Sequence, residues 1–329
     1  MVPNSIVVSR GCPHKCDFCY KEAFFEGGNS FYVQKVDEAL AEIDRLPGSH
    51  LYFLDDHLLG NPRFASMLFD GMKGMGRLFQ GAATVNSILK PGLLEQAAEA
   101  GLRSIFVGLE TIDETNLRKH AKVQNLNRDY TEAIRRIHDN GVMINGSFVF
   151  GMDEDGPDVF KRTVDWAKTN SIETSTFHIM TPYPTTGLYQ RMEQEGRLLH
   201  SRWDEYDTRH VVYQPKRMTP KQLEEGYWWA YKEFYTWRSI WEGASNKRTL
   251  NRRLRHMAYA GGWKKFEGLW NVLIRSRQVS NALPVLESVL GSFGKLANPE
   301  KTEAQSDSQR IPDQSNPQSK EERRLAAEV

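Results

Sequence analysis

Regular alternation of apolar strands and amphipathic helices is the feature of this sequence that most constrains its fold. Short apolar runs predict six strands, over residues 5–9, 50–54, 78–85, 104–108, 142–150 and 174–180. Helical periodicity lies between them, over residues 34–46, 63–75, 91–100, 130–140 and 158–170. Such βαβ repeats form parallel sheets with right-handed crossovers. The prediction is therefore an α/β fold, either an open barrel or a doubly wound sheet.

Polar, glycine or proline residues follow most of these strands directly. Asp55 and Asp56 end the second strand, Glu110 the fourth, Gly151 the fifth and Pro182 the sixth, while three cysteines follow the first. In both candidate architectures the active site lies at the carboxyl ends of parallel strands. We therefore expect these residues to share one edge of the sheet.

Length and composition set broad limits. A chain of 329 residues can form one large core, or one core and a smaller appendage. The net charge of +1 gives no global reason to expect a nucleic-acid partner. No apolar run approaches the ~20 residues needed to cross a bilayer, and residues 1–5 lack the features of a signal peptide. These observations predict a cytoplasmic location.

The three cysteines, Cys12, Cys16 and Cys19, are the only ones in the chain and follow the spacing C-x3-C-x2-C. An odd number cannot pair entirely in intrachain disulfides, and a cytosolic chain keeps thiols reduced. Clustered thiolates suit an iron–sulfur cluster or zinc. Structural zinc requires four ligands, and His14, between two cysteines, would strain the loop as the fourth. An iron–sulfur cluster is therefore favoured, with zinc as the alternative.

This spacing, with Phe18 just before the last cysteine and a strand just before the loop, resembles the signature of the radical S-adenosylmethionine (radical SAM) superfamily. The resemblance implies a partial (β/α)6 TIM-like barrel and a 4Fe–4S cluster on Cys12, Cys16 and Cys19. In that superfamily the open iron binds SAM, and an electron from the cluster produces a 5′-deoxyadenosyl radical that abstracts hydrogen from substrate. An external electron donor such as flavodoxin or ferredoxin is implied as well.

Two acidic stretches extend the resemblance. Asp55-Asp56 is similar to a variant found in the branch with many cobalamin-associated members, which implies that a carboxylate here contacts the SAM ammonium group. The alternative is a turn and a helix cap before Pro62. Gly108-Leu109-Glu110-Thr111 resembles the Gly-Ile-Glu-Ser stretch of the same branch, which implies that Glu110 binds the SAM amino or ribose groups. Its alternative is a surface carboxylate.

Three further positions are assigned to SAM by the same resemblance. Tyr20 follows the last cysteine, where the family reads the adenine edge through its backbone, although the side chain has packing as its alternative role. Gly151 would allow adenine to approach the backbone closely, and a simple turn glycine is the alternative. Pro182 belongs to a stiff sixth-strand ending that either contacts the ligand or shapes the rim. No catalytic residue is singled out.

The organisation predicted from these patterns is a barrel over residues 1–187, a mainly helical region over 188–296 and a disordered tail over 297–329. The aromatic helix at residues 222–241 is expected to cover the open side of the barrel, with Trp228 or Trp237 lining the substrate cavity as the alternative. The basic stretch at residues 246–277 is interpreted by default as a solvated helix face. Peripheral contact with anionic lipid, an acidic partner or nucleic acid are its alternatives.

The function predicted is a radical SAM oxidoreductase or transferase that acts on a small organic or lipid-like molecule. C-methylation is one option, and oxidation or rearrangement another. The C-terminal region resembles that of cobalamin-associated members. Because the first strand begins at residue 5, we expect no N-terminal cobalamin-binding domain. Three alternatives follow: the module is encoded separately, it has been lost, or the chain is a truncated version of a longer ancestor. The competing hypothesis is a non-catalytic zinc or iron–sulfur module.

Overall fold

A six-stranded parallel sheet organises the structure, a computed structural model that describes residues 4–21 and 31–265. Its strands are β1 (Asn4–Ile6), β4 (His50–Phe53), β5 (Leu78–Ala83), β6 (Leu102–Glu110), β7 (Met143–Phe150) and β8 (Thr174–Ile179). They lie in this order across the sheet, and each adjacent pair is parallel. A separate antiparallel pair is formed by β2 (Ser9–Gly11) and β3 (Phe31–Val33). The predicted α/β fold with six strand-helix units is confirmed.

Helices connect the strands and continue beyond the sheet. Those within the sheet region are α1 (Val36–Arg45), α2 (Pro62–Met72), α3 (Val85–Ile88), α4 (Leu93–Ala100), α5 (Glu114–Lys119), α6 (Tyr130–Asp139) and α7 (Val159–Thr169). The helices after β8 are α8 (Gly187–Gln194), α9 (Pro220–Phe234), α10 (Trp237–Ser245) and α11 (Leu250–Lys265). Among the described helices, none combines the length and apolar character that crossing a lipid bilayer requires.

Local sequence accounts for where several helices begin. Asn61 caps α2 by accepting hydrogen bonds from the backbone N–H groups of Arg63 and Phe64, and Pro62 stands in the first turn. Thr219 and Gln222 form a reciprocal capping box at the start of α9. Because Asn61 caps α2, the alternative that Asp55 and Asp56 cap this helix is wrong.

Helix α9 covers the free edge of β8, as the aromatic pattern predicts. The Tyr231 hydroxyl accepts a hydrogen bond from the Phe177 N–H at 3.1 Å. The Tyr235 hydroxyl accepts from the Ser175 N–H at 2.9 Å and donates to its carbonyl at 2.8 Å. Phe234 packs edge-on against Phe177, with ring centroids 5.8 Å apart. Side-chain hydroxyls thus occupy backbone groups that an edge strand otherwise leaves unpaired.

Two predicted elements are divided in the structure. The strand expected at residues 5–9 ends at Ile6, and the chain resumes extended pairing at Ser9 in β2. The reason is tertiary: the Asp55 carboxylate accepts hydrogen bonds from the N–H groups of Val8 and Ser9, which therefore leave the ladder with β4. The aromatic helix expected over 222–241 is interrupted after Phe234, because Thr236 caps a new helix, α10.

The C-terminal helices α10 and α11 are fixed at the amino ends of the strands. The Glu173 carboxylate, just before β8, accepts from Lys247 Nζ at 2.5 Å and from the Ile144 N–H at 3.0 Å. The Tyr259 hydroxyl lies 2.9 Å from Ser104 Oγ near the start of β6. Helix α11 covers only the first part of the predicted basic stretch. Its remainder, 266–277, and the predicted disordered tail, 297–329, lie outside the described residues.

Candidate metal centre

The cysteine loop leaves β2 at the carboxyl edge of the main sheet. Gly11, with φ of +82°, leads into Cys12, and the Cys19 N–H donates to the Cys16 carbonyl at 3.0 Å, which closes a turn. Cys12 and Cys16 are buried and Cys19 is partly buried. Burial raises the pKa of the Cys16 and Cys19 thiols, so thiolates in this loop depend on nearby positive charge or a bound metal.

Asp17 anchors the loop to two distant helices. Its Oδ1 lies 2.9 Å from His120 Nδ1 at the end of α5, and its Oδ2 accepts from Arg191 of α8 at 2.6 Å. The Leu188 N–H also donates to the Asp17 carbonyl at 3.0 Å. Burial alone would raise the pKa of Asp17, but the bonds from His120 and Arg191 hold it below its ordinary value. Sequence reasoning missed this anchor, although its position inside the cysteine motif was a signal.

The two aspartates after β4 hold the start of the loop. Asp55 Oδ1 accepts from the Ser9 N–H and hydroxyl, both at 2.5 Å, and burial raises the pKa of this carboxyl. Asp56 Oδ2 accepts from the Gly11 N–H at 3.0 Å, and its Oδ1 lies 3.5 Å from the Tyr20 hydroxyl. Asp55 therefore faces the segment before the cysteines. Asp56 and the exposed Tyr20 stand beside the loop itself.

Glu110 ends β6 in a strained conformation. The register between β6 and β7 shifts between Gly108 and Glu110, and Glu110 has φ of +64°, which is costly for a residue with a side chain. Its carboxylate accepts a hydrogen bond from Lys122 Nζ at 2.5 Å, and both side chains are buried. A Cβ on Gly108 would lie 2.6 Å from the Glu110 carboxylate, so glycine makes room for this pair. The surface-carboxylate alternative for Glu110 is wrong.

Two residues that the sequence did not single out connect this pair to the cysteines. Gln124 Nε2 donates to Cys16 Sγ at 3.4 Å. Lys122 Nζ stands 5.9 Å from the centroid of the Phe18 ring. Burial alone would lower the pKa of Lys122, but the Glu110 carboxylate raises it, so the side chain is an ammonium. Neither residue belongs to a recognisable sequence motif. Their position beside the cysteines depends on the turn at Val123–Asn125, which is a feature of the folded chain.

A pair of stacked imidazoles borders the loop. The rings of His14 and His57 lie 5.9 Å apart, and His57 Nε2 is 3.3 Å from the Thr84 hydroxyl. Burial, with nearby lysines, lowers the pKa of His57 to about 3 and that of His14 to about 4. Both rings are thus neutral at pH 7. Within residues 4–21 and 31–265, no three His, Cys, Asp or Glu side chains converge on one point suited to a single metal ion.

Gly151 and Pro182 stand apart from this cluster of contacts. Gly151 has φ of +94°, donates its N–H to Asp155 at 2.9 Å and accepts from the Tyr213 hydroxyl at 2.5 Å. A Cβ there would lie 2.2 Å from the Tyr213 oxygen. The turn-glycine interpretation accounts for these contacts, and adenine contact stays a prediction. Pro182 is buried just after β8, which suits a residue that shapes the rim.

Four tryptophans of α9 and α10 have exposed side chains. Trp228, Trp229, Trp237 and Trp241 are each exposed by 41–66%, so the structure does not support a cavity lined by Trp228 or Trp237. On α11, Leu250 and Leu254 are more than half exposed. The exposed apolar side chains Trp237 and Trp241 of α10 and Leu250 and Leu254 of α11 are here called the outward surface of α10 and α11.

Taken together, the loop fits a 4Fe–4S cluster. Three thiols stand next to an amide donor, Gln124, and a buried ammonium, Lys122, which complement the negative charge of a thiolate-ligated cluster. Of the predicted residues, Cys16 is contacted by Gln124, and Phe18 and Glu110 by Lys122.

Comparison with known proteins gives a consistent result. The family model of the radical SAM superfamily matches residues 6–182, and a domain of unknown function, DUF4070, matches residues 186–281. The bacteriochlorophyllide d C-12(1)-methyltransferase of Chlorobaculum tepidum is 29% identical over 74% of this chain and 54% of its own length. The hopanoid C-2 methylase of Rhodopseudomonas palustris is 31% identical over 60% of this chain and 39% of its own. The chain therefore spans about half, or less, of these relatives.

Solved structures share the fold. The cobalamin-dependent SAM radical enzyme OxsB matches 94% of this chain and 56% of its own, with a TM-score of 0.55 and 13% identity. The radical SAM methyltransferase TsrM from Kitasatospora setae matches 68% of this chain and 45% of its own, with a TM-score of 0.53 and 16% identity. The predicted TIM-like barrel class is confirmed by these likenesses.

Proposed function

The chain belongs to the radical SAM superfamily, and we propose that it is an enzyme that carries out C-methylation of an apolar, lipid-like substrate. The observation that carries the proposal is the three-cysteine loop at the carboxyl edge of the sheet. That loop is held by Asp17, Asp55 and Asp56, and Lys122 and Gln124 stand beside its thiols. A radical SAM oxidation or rearrangement remains the second candidate reaction.

Cys12, Cys16 and Cys19 would hold the 4Fe–4S cluster that the superfamily uses. When bound, the cluster supplies the single electron with which superfamily members cleave SAM reductively. We assign Asp56 and Glu110 to the SAM amino and ribose groups, with Tyr20, Phe18, Gly151 and Pro182 near the adenosine. Asp55 acts as a positioning residue in this proposal, since its carboxylate is bound by Ser9 and Val8.

The substrate class rests on the relatives. Two of them are named for methylation of bacteriochlorophyllide d and of hopanoids, both large polycyclic molecules. We propose an apolar polycyclic or lipid-like substrate for this chain by analogy. Because solved neighbours bind cobalamin, we propose a cobalamin-binding partner as the methyl carrier. Reduction would come from an external donor such as flavodoxin or ferredoxin, in a cytoplasmic setting.

Anaerobic reconstitution with iron and sulfide tests the cofactor. We expect a 4Fe–4S absorption and EPR spectrum after dithionite reduction, and release of 5′-deoxyadenosine when SAM is added. Replacement of Cys12, Cys16 or Cys19 by Ala should each abolish cluster binding. The matched control inside the loop is His14→Ala, which should keep the cluster. Uptake of zinc without iron would instead support the non-catalytic metal module.

The reaction itself is tested with labelled methyl groups. The reconstituted protein would be incubated anaerobically with dithionite, methyl-labelled SAM, hydroxocobalamin (which carries no methyl group of its own) and a bacterial lipid extract. Appearance of the label in an apolar product, dependent on the three cysteines, supports C-methylation. Consumption of SAM to 5′-deoxyadenosine with an oxidised product and no transferred label would favour the second candidate.

We also propose that the outward surface of α10 and α11 makes peripheral contact with anionic lipid. Residues 237–265 contain eight basic residues and one acid, Glu242, and of these cations Lys247 and Arg255 are buried and do not face outward. Exposed Trp237, Trp241, Leu250 and Leu254 lie among these charges. Aromatic side chains with interleaved cations suit the interface of an anionic bilayer.

A further inference from the structure

A buried charge pair stands directly beside the cysteine loop. Lys122 Nζ donates to Glu110 at 2.5 Å and lies 5.9 Å from the centre of the Phe18 ring, whose residue is adjacent to Cys19. Gln124 Nε2 donates to Cys16 Sγ at 3.4 Å. These three side chains place one cation, one anion and one N–H donor next to the proposed ligands.

The local backbone is built to keep this arrangement. Asn125 Nδ2 donates to the Gly108 carbonyl at 2.9 Å and to the Leu109 carbonyl at 3.2 Å, which fixes the turn carrying Lys122 and Gln124 to the end of β6. Glu110 adopts φ of +64°, and Gly108 leaves the space in which the pair meets. Strain of this kind persists only where surrounding contacts hold it.

We propose that Lys122, Gln124 and Glu110 set the reduction potential of the cluster on Cys12, Cys16 and Cys19, an inference that rests on the proposed function. One-electron reduction adds a negative charge to an assembly that thiolates already make negative. A buried ammonium and an N–H···S hydrogen bond lower the free energy of that reduced state, and a buried carboxylate raises it. Lys122 and Gln124 therefore favour reduction, and Glu110 opposes it.

The test is an EPR-monitored redox titration of the reconstituted full chain without SAM. We expect Lys122→Gln and Gln124→Leu to lower the midpoint potential and Glu110→Gln to raise it. At a solution potential equal to the wild-type midpoint, each change should alter the ratio of reduced to oxidised cluster by about tenfold, which corresponds to ~59 mV for one electron. Lys119→Gln is the control, because Lys119 pairs with Glu154 on the surface, and it should leave the ratio unchanged.

The shifts in midpoint potential are expected to have opposite signs in the lysine and glutamate variants, and a merely structural role would not produce this pattern. Loss of packing would lower cluster content in all variants without ordering their potentials by charge. If Lys122→Gln fails to take up the cluster, Gln124→Leu and Glu110→Gln decide by the direction of their shifts. If the wild type binds iron and cleaves SAM but the variants have the same midpoint potential as the wild type, this inference alone is overturned. Failure of the wild type to bind iron would overturn the proposed function itself.

Discussion

Two buried lysine–glutamate pairs lie at opposite ends of the sheet, and each has an N–O distance of 2.5 Å. Lys122 and Glu110 meet at the carboxyl edge, beside the cysteines. Lys247 and Glu173 meet at the amino edge, under the C-terminal helices. The contact is the same, but the surroundings differ, and the difference separates a functional pair from a structural one.

The amino-edge pair is closed by further partners. Glu173 also accepts from the Ile144 N–H and lies 3.2 Å from His138 Nε2, while Lys247 donates to the Ser171 carbonyl at 2.8 Å. Burial alone would raise the pKa of Glu173, but His138 and Lys247 hold it well below its ordinary value. These bonds join α6, β7, β8 and the segment before α11. The carboxyl-edge ammonium instead has one carboxylate partner and faces a thiol and an aromatic ring.

The largest effect on stability is expected when Lys247 is removed from the amino-edge pair. Lys247→Met leaves Glu173 buried with fewer partners and should lower the free energy of unfolding by about 3–5 kcal/mol. Urea denaturation of the cluster-free protein, followed by circular dichroism, measures it. Glu242→Gln, which removes an exposed pair with Arg238, is the control and should change stability by at most about 0.5 kcal/mol. Equal values for the two variants would contradict the structural role assigned to the buried amino-edge pair.

The carboxyl edge should show a pH dependence through His57. Its pKa is about 3 in the folded protein and about 6.5 when unfolded. Because the unfolded state binds a proton first, this contribution to stability is complete above pH 6.5 and is lost as the pH falls toward 3. Between pH 7 and 4.5 the loss should be about 2–3 kcal/mol.

Denaturation at several pH values checks this prediction. His57→Gln should flatten the slope of unfolding free energy against pH in that window. Met67→Gln replaces an exposed side chain that has no titratable group and should keep the wild-type slope. An unchanged slope in His57→Gln would mean that this ring does not enter the folded core as a neutral group.

Two glycines with positive φ allow a matched comparison of turns at the two edges. Gly151→Ala at the carboxyl edge should cost about 2–4 kcal/mol, since a Cβ meets the Tyr213 oxygen at 2.2 Å in addition to the backbone strain. Gly141→Ala, just before β7, has φ of +70° with open space around the Cβ and should cost only about 1–2 kcal/mol. Thermal or urea unfolding gives both values, and a larger cost at Gly141 would refute the steric argument.

The smallest effect on stability is expected on the outer face of α10. Trp241 is 66% exposed, so Trp241→Ala should change the unfolding free energy by less than about 0.5 kcal/mol. It should nevertheless reduce co-sedimentation with phosphatidylserine vesicles several-fold, with little binding of either protein to phosphatidylcholine vesicles. Trp203→Ala, which removes an exposed tryptophan outside α10 and α11, is the control. Unchanged sedimentation, or self-association lost in place of lipid binding, would overturn the lipid proposal.

The local sequence pattern was enough to predict most of the fold and the position of the cysteines at the centre of the site. Strand and helix periodicities are properties of neighbouring residues, so the six strand-helix units were predictable, and so was the position of the cysteines at a strand end. The C-x3-C-x2-C spacing likewise lies within one loop. The predicted placement of Glu110 at the end of the fourth strand followed from the same reasoning.

What only the tertiary structure decided are the contacts that cross the chain. Arg191 reaches Asp17 over 174 positions and Gln124 reaches Cys16 over 108, and no periodicity marks either residue. The division of the first strand depends on the side chain of Asp55. The sequence by itself therefore determined that three thiols stand at the edge of an α/β sheet. Packing of non-periodic loops decided which charges surround them, because such contacts arise from the folded geometry rather than from any local repeat.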